Sequence, residues 1–400
     1  ALSAVTTGAN NVGIGRQAAA SVTTANSNTA VGFFALLNNT SANNVAVGAS
    51  SLQTNTSGSN LTAVGLGALT ANTTANHNTA VGYNSMVSNT TGASNTALGS
   101  EALDASTTGV SNVAVGKGAL TGLTTAAYNT AVGTSSLQGV TTNSANTAVG
   151  YTALLTGNRS NNTAVGFEAL RQGASGDSNV AVGYVALTTN TANHNTAVGH
   201  NAMKFNTSGA ENTAVGAFAL DSNTTANYIT AIGYNALSNN TTGSQNTAVG
   251  RSALLATVTG SNNTAVGFNA LIANTAGSNT GVGANALQAT TSGGNNTAVG
   301  RNAMNLNTTG AQNVAVGGLA LDAATTADYN TAIGYFAATS LTTGGFNTAL
   351  GGNSLSTSTT ANNNVALGYN TLNQNTSGNE NVAVGFAALD ANTTGTLNTA

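Results

Sequence analysis

The chain has 400 residues, of which only 4% are charged, with 49 Gly and no Pro, Cys or Trp. Ordinary globular domains carry charge on about a quarter of their residues, so this composition sets the chain apart from them, and the missing cysteine removes disulfides and thiolate zinc sites. The net charge of −3 is spread thinly and the seven Lys and Arg form no run, which leaves nucleic acid without an electrostatic foothold.

No apolar run approaches the ~18–20 residues that a spanning helix needs. Low complexity alone would suit disorder, but Val and Leu recur here in fixed register, as a folded repeat requires. The anchor is a Gly that returns at Gly15, Gly32, Gly48, Gly65, Gly82 and onward to Gly368 and Gly385, in steps of 17 residues with an occasional 16. The pattern runs without a linker, so residues 1–400 read as one continuous repeat domain. Both ends fall inside a repeat, as expected for a segment of a longer polypeptide.

One unit, counted in columns from Asn78, reads Asn-Thr-Ala-Val-Gly-Tyr-Asn-Ser-Met-Val-Ser-Asn-Thr-Thr-Gly-Ala-Ser. Column one is Asn except at Leu61 and Ile229, and an in-register column of Asn predicts a ladder of side-chain amides along the stacking axis. Columns two to four, Thr or Val, then Ala or Gly, then Val, Ile or Leu, alternate as a short strand. The expected orientation puts Val on a thin apolar core and the small column three on the opposite face. There its restriction to Ala and Gly implies close approach of a second copy of the chain. Gly in column five is expected to turn the chain. Ala-Leu in columns eight and nine reads as a second short strand, and the Asn-Thr-Thr-Gly stretch as a surface loop, since the 16-residue steps lose their residue there.

These columns predict an all-β protein, a parallel β-solenoid or β-roll with about 17 residues per turn and about 23 turns. A parallel homotrimer is the simplest oligomer in which a second surface covers column three; a dimer or a lateral filament contact covers it too.

Residues that carry chemistry are sparse. His77 and His194 precede a column-one Asn and His200 follows a motif Gly, with no acid cluster at metal spacing. Asp104, Asp221, Asp322 and Asp390 share column ten but lie many turns apart, whereas a catalytic carboxylate pair needs ~5–10 Å. Glu101 and Asp104 are close in sequence and read as part of a solvated face. No catalytic, cofactor or metal residue is assigned. Column six holds Phe33, Tyr83, Tyr151, Phe167, Tyr184, Tyr234, Phe268, Tyr335, Tyr369 and Phe386, a discontinuous aromatic stripe. It reads either as cover for the corner Gly or as a sticky surface for glycan, fibre or host contact. Sequons such as Asn39-Thr40-Ser41 and Asn89-Thr90-Thr91 arise readily in a chain this rich in Asn and Thr.

The unit Asn-(Thr/Val)-Ala-Val-Gly-x-x-Ala-Leu, clearest at Asn112-Val113-Ala114-Val115-Gly116 and Asn381-Val382-Ala383-Val384-Gly385, resembles the head repeats of YadA-type trimeric autotransporter adhesins. It is also similar to the repetitive regions of phage tail-fibre-like proteins. The first resemblance implies a trimeric left-handed parallel β-roll. Together they imply a non-enzymatic, extracellular, cell-surface or virion fibre that mediates attachment or forms a filament. The partners so implied are further copies of the chain, as trimer or end-to-end filament, and a host-surface or glycan receptor. Neither nucleic acid nor membrane insertion is expected. The alternative is an ice-binding or glycan-binding solenoid module.

Overall fold

The computed structural model describes residues 1–157, 159–172 and 176–400. The fold is a parallel β-solenoid with one three-residue strand per turn and no helix among the described residues. The chain divides into two units, Ala1–Asn195 and Thr196–Ala400. The first holds β1 (Val12–Ile14) to β11 (Val180–Val182) and the second β12 (Thr196–Val198) to β23 (Val382–Val384). Within each unit every strand pairs in parallel with the next turn, column on column, as in Thr79↔Thr96, Ala80↔Ala97 and Val81↔Leu98. The expected period and strand columns are therefore present.

The expected inside and outside are reversed. Column three points into the coil: Ala80, Ala148, Ala231 and Ala315 are fully buried. Columns two and four point outward and are half-buried or exposed, as in Thr79 and Val81 or Thr230 and Ile232. The cause is the width of the interior. At Gly281, which lacks the methyl, an added Cβ would already lie 3.2 Å from Leu271 Cγ and 3.3 Å from the Ala286 carbonyl oxygen. No side chain larger than Ala fits there without displacing the Leu of column nine. The small residues of column three are thus explained within one chain, and the expectation that they touch a second chain is overturned. Their neighbours inside are the Ala of column eight and the Leu or Met of column nine, such as Ala102 with Leu103 and Ala303 with Met304, all buried.

The Ala-Leu segment is a turn rather than a second strand. Columns seven and nine both take the left-handed conformation, as at Glu101 (φ 57°) and Leu103 (φ 54°). That conformation costs a non-glycine residue roughly 1–2 kcal/mol. Burial of the Leu side chain, worth about 1.5–3 kcal/mol, offsets it. Inter-turn hydrogen bonds continue through the bend, Leu103 N–H to the Ala119 carbonyl at 2.9 Å for example. The corner Gly of column five has a stricter requirement. Gly116 sits at φ +130°, and a Cβ there would meet the Gly133 carbonyl oxygen at 2.6 Å.

The Asn of column one is buried and bridges two turns. Its Oδ1 accepts the backbone N–H of the next column-one residue, as Asn95 does from Asn112 (2.9 Å) and Asn296 from Asn313 (3.0 Å). Its Nδ2 donates to a loop carbonyl of the next turn, as Asn95 does to Gly109 (2.7 Å) and Asn313 to Ala327 (2.7 Å). Leu61 and Ile229 still donate their own N–H to the Asn before them. A second Asn ladder, inside the segment read as a loose loop, was not foreseen. Asn72 Nδ2 donates to Asn55 Oδ1 and Asn55 Nδ2 to Asn39 Oδ1, both at 2.7 Å, and Asn223 repeats this with Asn206 at 2.6 Å.

Replacing one rung measures the ladder. In Asn313→Ala, the Asn330 N–H and the Ala327 carbonyl both lose their partner. A buried group left unpaired costs about 1–3 kcal/mol, so the variant is expected to lose roughly 2–4 kcal/mol in denaturant unfolding, while Thr309→Ala, at an exposed position just before it in the chain, stays within the ~0.5 kcal/mol usual for surface changes.

Candidate interaction surface

Each strand is flanked by two corners, two residues before it at column seventeen and two after it at column six. Among the described residues, all exposed large apolar side chains except Val110, Phe205, Val258 and Leu306 lie on the outward strand face or on these corners. Columns two to four carry no charged residue in any turn. Such concentration of apolar side chains on one side of each unit is unlike the scattered exposure of ordinary surfaces.

The column-six rings foreseen from the sequence all stand on one corner, and the structure brings several together along the stacking axis. Tyr151, Phe167 and Tyr184 form a three-ring stack with centroids 5.5 and 5.2 Å apart and planes within 15°. Tyr369 and Phe386 stack at 5.9 Å. Arg251 sits between Tyr234 and Phe268, 5.9 and 5.8 Å from their centroids, and Arg16 lies 5.6 Å from Phe33. Tyr335 packs edge-on against Phe336 at 4.2 Å. Tyr83 is half exposed and stacks on no other ring among the described residues. Stacked rings cover much of one another's faces and turn their edges outward, so the free faces that sugar stacking uses are few.

A second aromatic column escaped the sequence reading. Tyr128, Tyr228, Tyr329 and Phe346 occupy column seventeen, on the corner before the strand, and Tyr128 is 68% exposed. Tyr329 and Phe346 stack at 4.9 Å with planes 7° apart. Their shared register was the available signal, partly hidden because the loop just before them varies in length.

The sites of chemistry remain dispersed. No group of three His, Cys, Asp or Glu gathers as a metal site among the described residues. Asn39 and Asn89, the sequon asparagines singled out above, are buried. Asn39 donates its amide to the Ser41 carbonyl and Asn89 to that of Gly92, so the folded coil does not present them. Asp104, Asp221, Asp322 and Asp390 each bury one carboxyl oxygen, Oδ1, without a hydrogen-bond partner. Burial raises the pKa of Asp104, Asp221 and Asp322 above the ordinary 3.8; Glu101 pushes Asp104 further up, and Lys204 pulls Asp221 back down.

Compared with known proteins, the chain matches no family model and no curated sequence.

Asp322 gives the clearest pH dependence, because desolvation is its sole perturbation. Its pKa is higher folded than unfolded, so its stabilising protonation is complete below the ordinary carboxylate pKa and is lost as pH rises through the folded pKa. Asp322→Asn is expected to be more thermostable than the parent at pH 7. That advantage should shrink as pH falls toward 3.8, followed by melting temperature against pH.

Proposed function

We propose that this chain is a non-enzymatic structural segment of an extracellular or virion-borne fibre, which assembles with further copies of itself through the outward strand face. The observation that supports this reading is the uncharged Thr/Val face, bordered by two aromatic corners and repeated on every turn. A strand face about 10 Å wide on turns ~4.8 Å apart offers about 50 Å² per turn, and so about 600 Å² over the twelve strands of the second unit, to which the corners add. Stable interfaces bury ~800 Å² per partner. A partner for such a face must itself be uncharged, extended and periodic at the inter-strand spacing, and a second copy of the chain meets all three conditions.

Three copies suit this surface better than two. Apolar side chains continue past the flat strand onto both corners, whereas a face-to-face pair leaves the outer edges of those corners wet. A threefold arrangement turns the strand face to the axis and sets each corner against a different neighbour. The uninterrupted repeat, with its scattered carboxylates, supports a mechanical role over catalysis. The presentation of a host-surface or glycan receptor site belongs to this proposal as well.

Light scattering and substitutions on the outward face test it. Wild-type mass is expected at three chains. Val249→Glu with Val266→Glu, both outward, should give monomers with an unchanged circular dichroism spectrum. A one-chain mass for the wild type refutes the reading. Glu in place of Ala148 or Ala164 reports on folding instead, since both lie inside the coil.

One observation favours a second reading, ice binding. Seven successive strands from Thr196–Val198 to Thr297–Val299 all carry outward Thr in their first position. The hydroxyls form a single file with a spacing of ~4.8 Å along the stack, a repeat that could order water. Thermal hysteresis in the purified chain, abolished by Thr247→Lys and Thr264→Lys, would establish it; freezing-point behaviour equal to that of albumin would remove it.

A further inference from the structure

The two corners that border the strand face differ in the sign of their charges. In the second unit, column six carries Arg251 and Arg301, both exposed, and no acid. The opposite corner, columns sixteen and seventeen, carries Glu211, Asp328 and Glu380, all exposed, and no Lys or Arg. The first unit repeats the division, with Arg16 and Lys117 on one corner and Asp177 on the other. Nearby charges do little to blur it. Glu168, one residue beyond the cationic corner, is paired with Arg171 at 3.3 Å. Arg159, one position before the acidic corner, and Glu101, one residue beyond the cationic corner, are the exceptions.

We propose that these sign-separated corners make association between copies directional, each chain's cationic corner lying against its neighbour's acidic corner, so that copies assemble parallel and in ring order. The inference rests on the self-association proposed above. When two such faces meet with their chains parallel, column six of one copy lies opposite column seventeen of the other. When they meet antiparallel, each corner lies opposite its own kind. Like charges then face each other across a border of low polarity, where the repulsion is least screened. In a parallel contact Arg251 stands two turns from the level of Glu211, and Arg301 two turns from that of Asp328. That offset of ~10 Å lies within the combined reach of the side chains. With so few charges the corners add little to affinity; they select among orientations, which is the usual role of charges at an interface rim. Arg251 is already held between two rings, so less side-chain freedom is lost when it meets a carboxylate.

Two experiments separate this proposal from the reading beneath it. The chain has no Cys, so single cysteines report contacts cleanly. Val31→Cys and Val182→Cys, outward on strands nine turns apart in the first unit, are made one at a time and oxidised. Parallel in-register assembly predicts that each links to itself. An antiparallel arrangement brings at most one of the two to its own copy, and self-linking at only one position overturns the proposal. Charge exchange is the second arm. Arg251→Glu with Arg301→Glu, and separately Glu211→Lys with Asp328→Lys, should each weaken self-association several-fold at low salt, and mixing the two variants should restore it in part as a mixed oligomer, since two of the three contacts in a mixed ring are then complementary. Oligomers of wild-type strength in both variants, with no preference on mixing, overturn the proposal while leaving self-association intact. A monomeric wild type removes the underlying reading instead.

Discussion

The width of the interior governs this structure. Each turn closes around a space in which column three has room for a methyl group and little more, because the Leu of column nine and the Ala of column eight already fill it. Protein interiors pack without usable voids, so no larger residue enters column three, and Val is left on the outside. The same narrowness keeps water out. The loop carbonyls and the N–H that precedes each strand therefore need partners from within the chain. The two Asn ladders supply them: one amide, that of Asn95 for example, satisfies a donor and an acceptor of the next turn at once, which an aliphatic side chain cannot do.

The period, the strand columns, the corner Gly and the Asn column were legible because each leaves a mark in residue type. Asn is the short side chain that both accepts and donates, and Gly alone tolerates φ near +130° with a carbonyl 2.6 Å from where its Cβ would be. The direction of the strand was not legible. Alternation divides Thr-Ala-Val into two faces without saying which is inside, and hydrophobicity argues for Val. Val would be right for a wide coil. In this one, volume outweighs hydrophobicity, and the deciding partner, Leu271 against Gly281 for example, is met only once the coil has closed. The left-handed Leu of column nine was hidden for a related reason: no local propensity favours that conformation for Leu, and only the burial of its side chain explains it. The inner Asn ladder looked like turn chemistry, since Asn-Thr-Thr-Gly is what an exposed loop also uses.

Reversing the strand moves the proposed contact between copies from column three to columns two and four. With Ala inside, column three has no bearing on a second chain. With Val, Ile and Leu outside on every turn, the coil carries an apolar stripe that water alone solvates poorly. A repeat cannot remove such a stripe by one substitution, because each turn renews it. It must be covered, or be made useful as a surface. Thr in column two moderates the stripe, and its hydroxyls are what admit the ice-binding reading; the Val that replaces Thr at Val113, Val180 and Val314 moves those turns back toward burial against another apolar face.

The aromatic corners fit the covered stripe more closely than a sugar site. A ring that stacks on its neighbour one turn away, as Phe167 does on both Tyr151 and Tyr184, has its faces engaged and shows solvent an edge. Such an edge suits a hydrophobic seam between chains, where it adds area at the margin of the strand face at low conformational cost. The stack also ties three turns together without drawing on the interior, and Arg251 does the same across Tyr234 and Phe268. Rings on both corners, at columns six and seventeen, widen the apolar surface beyond the strand, so a partner that touched only the flat face would leave half-exposed rings on either side. This is why the corners, more than the strand face itself, support the proposed neighbours on two sides of the chain.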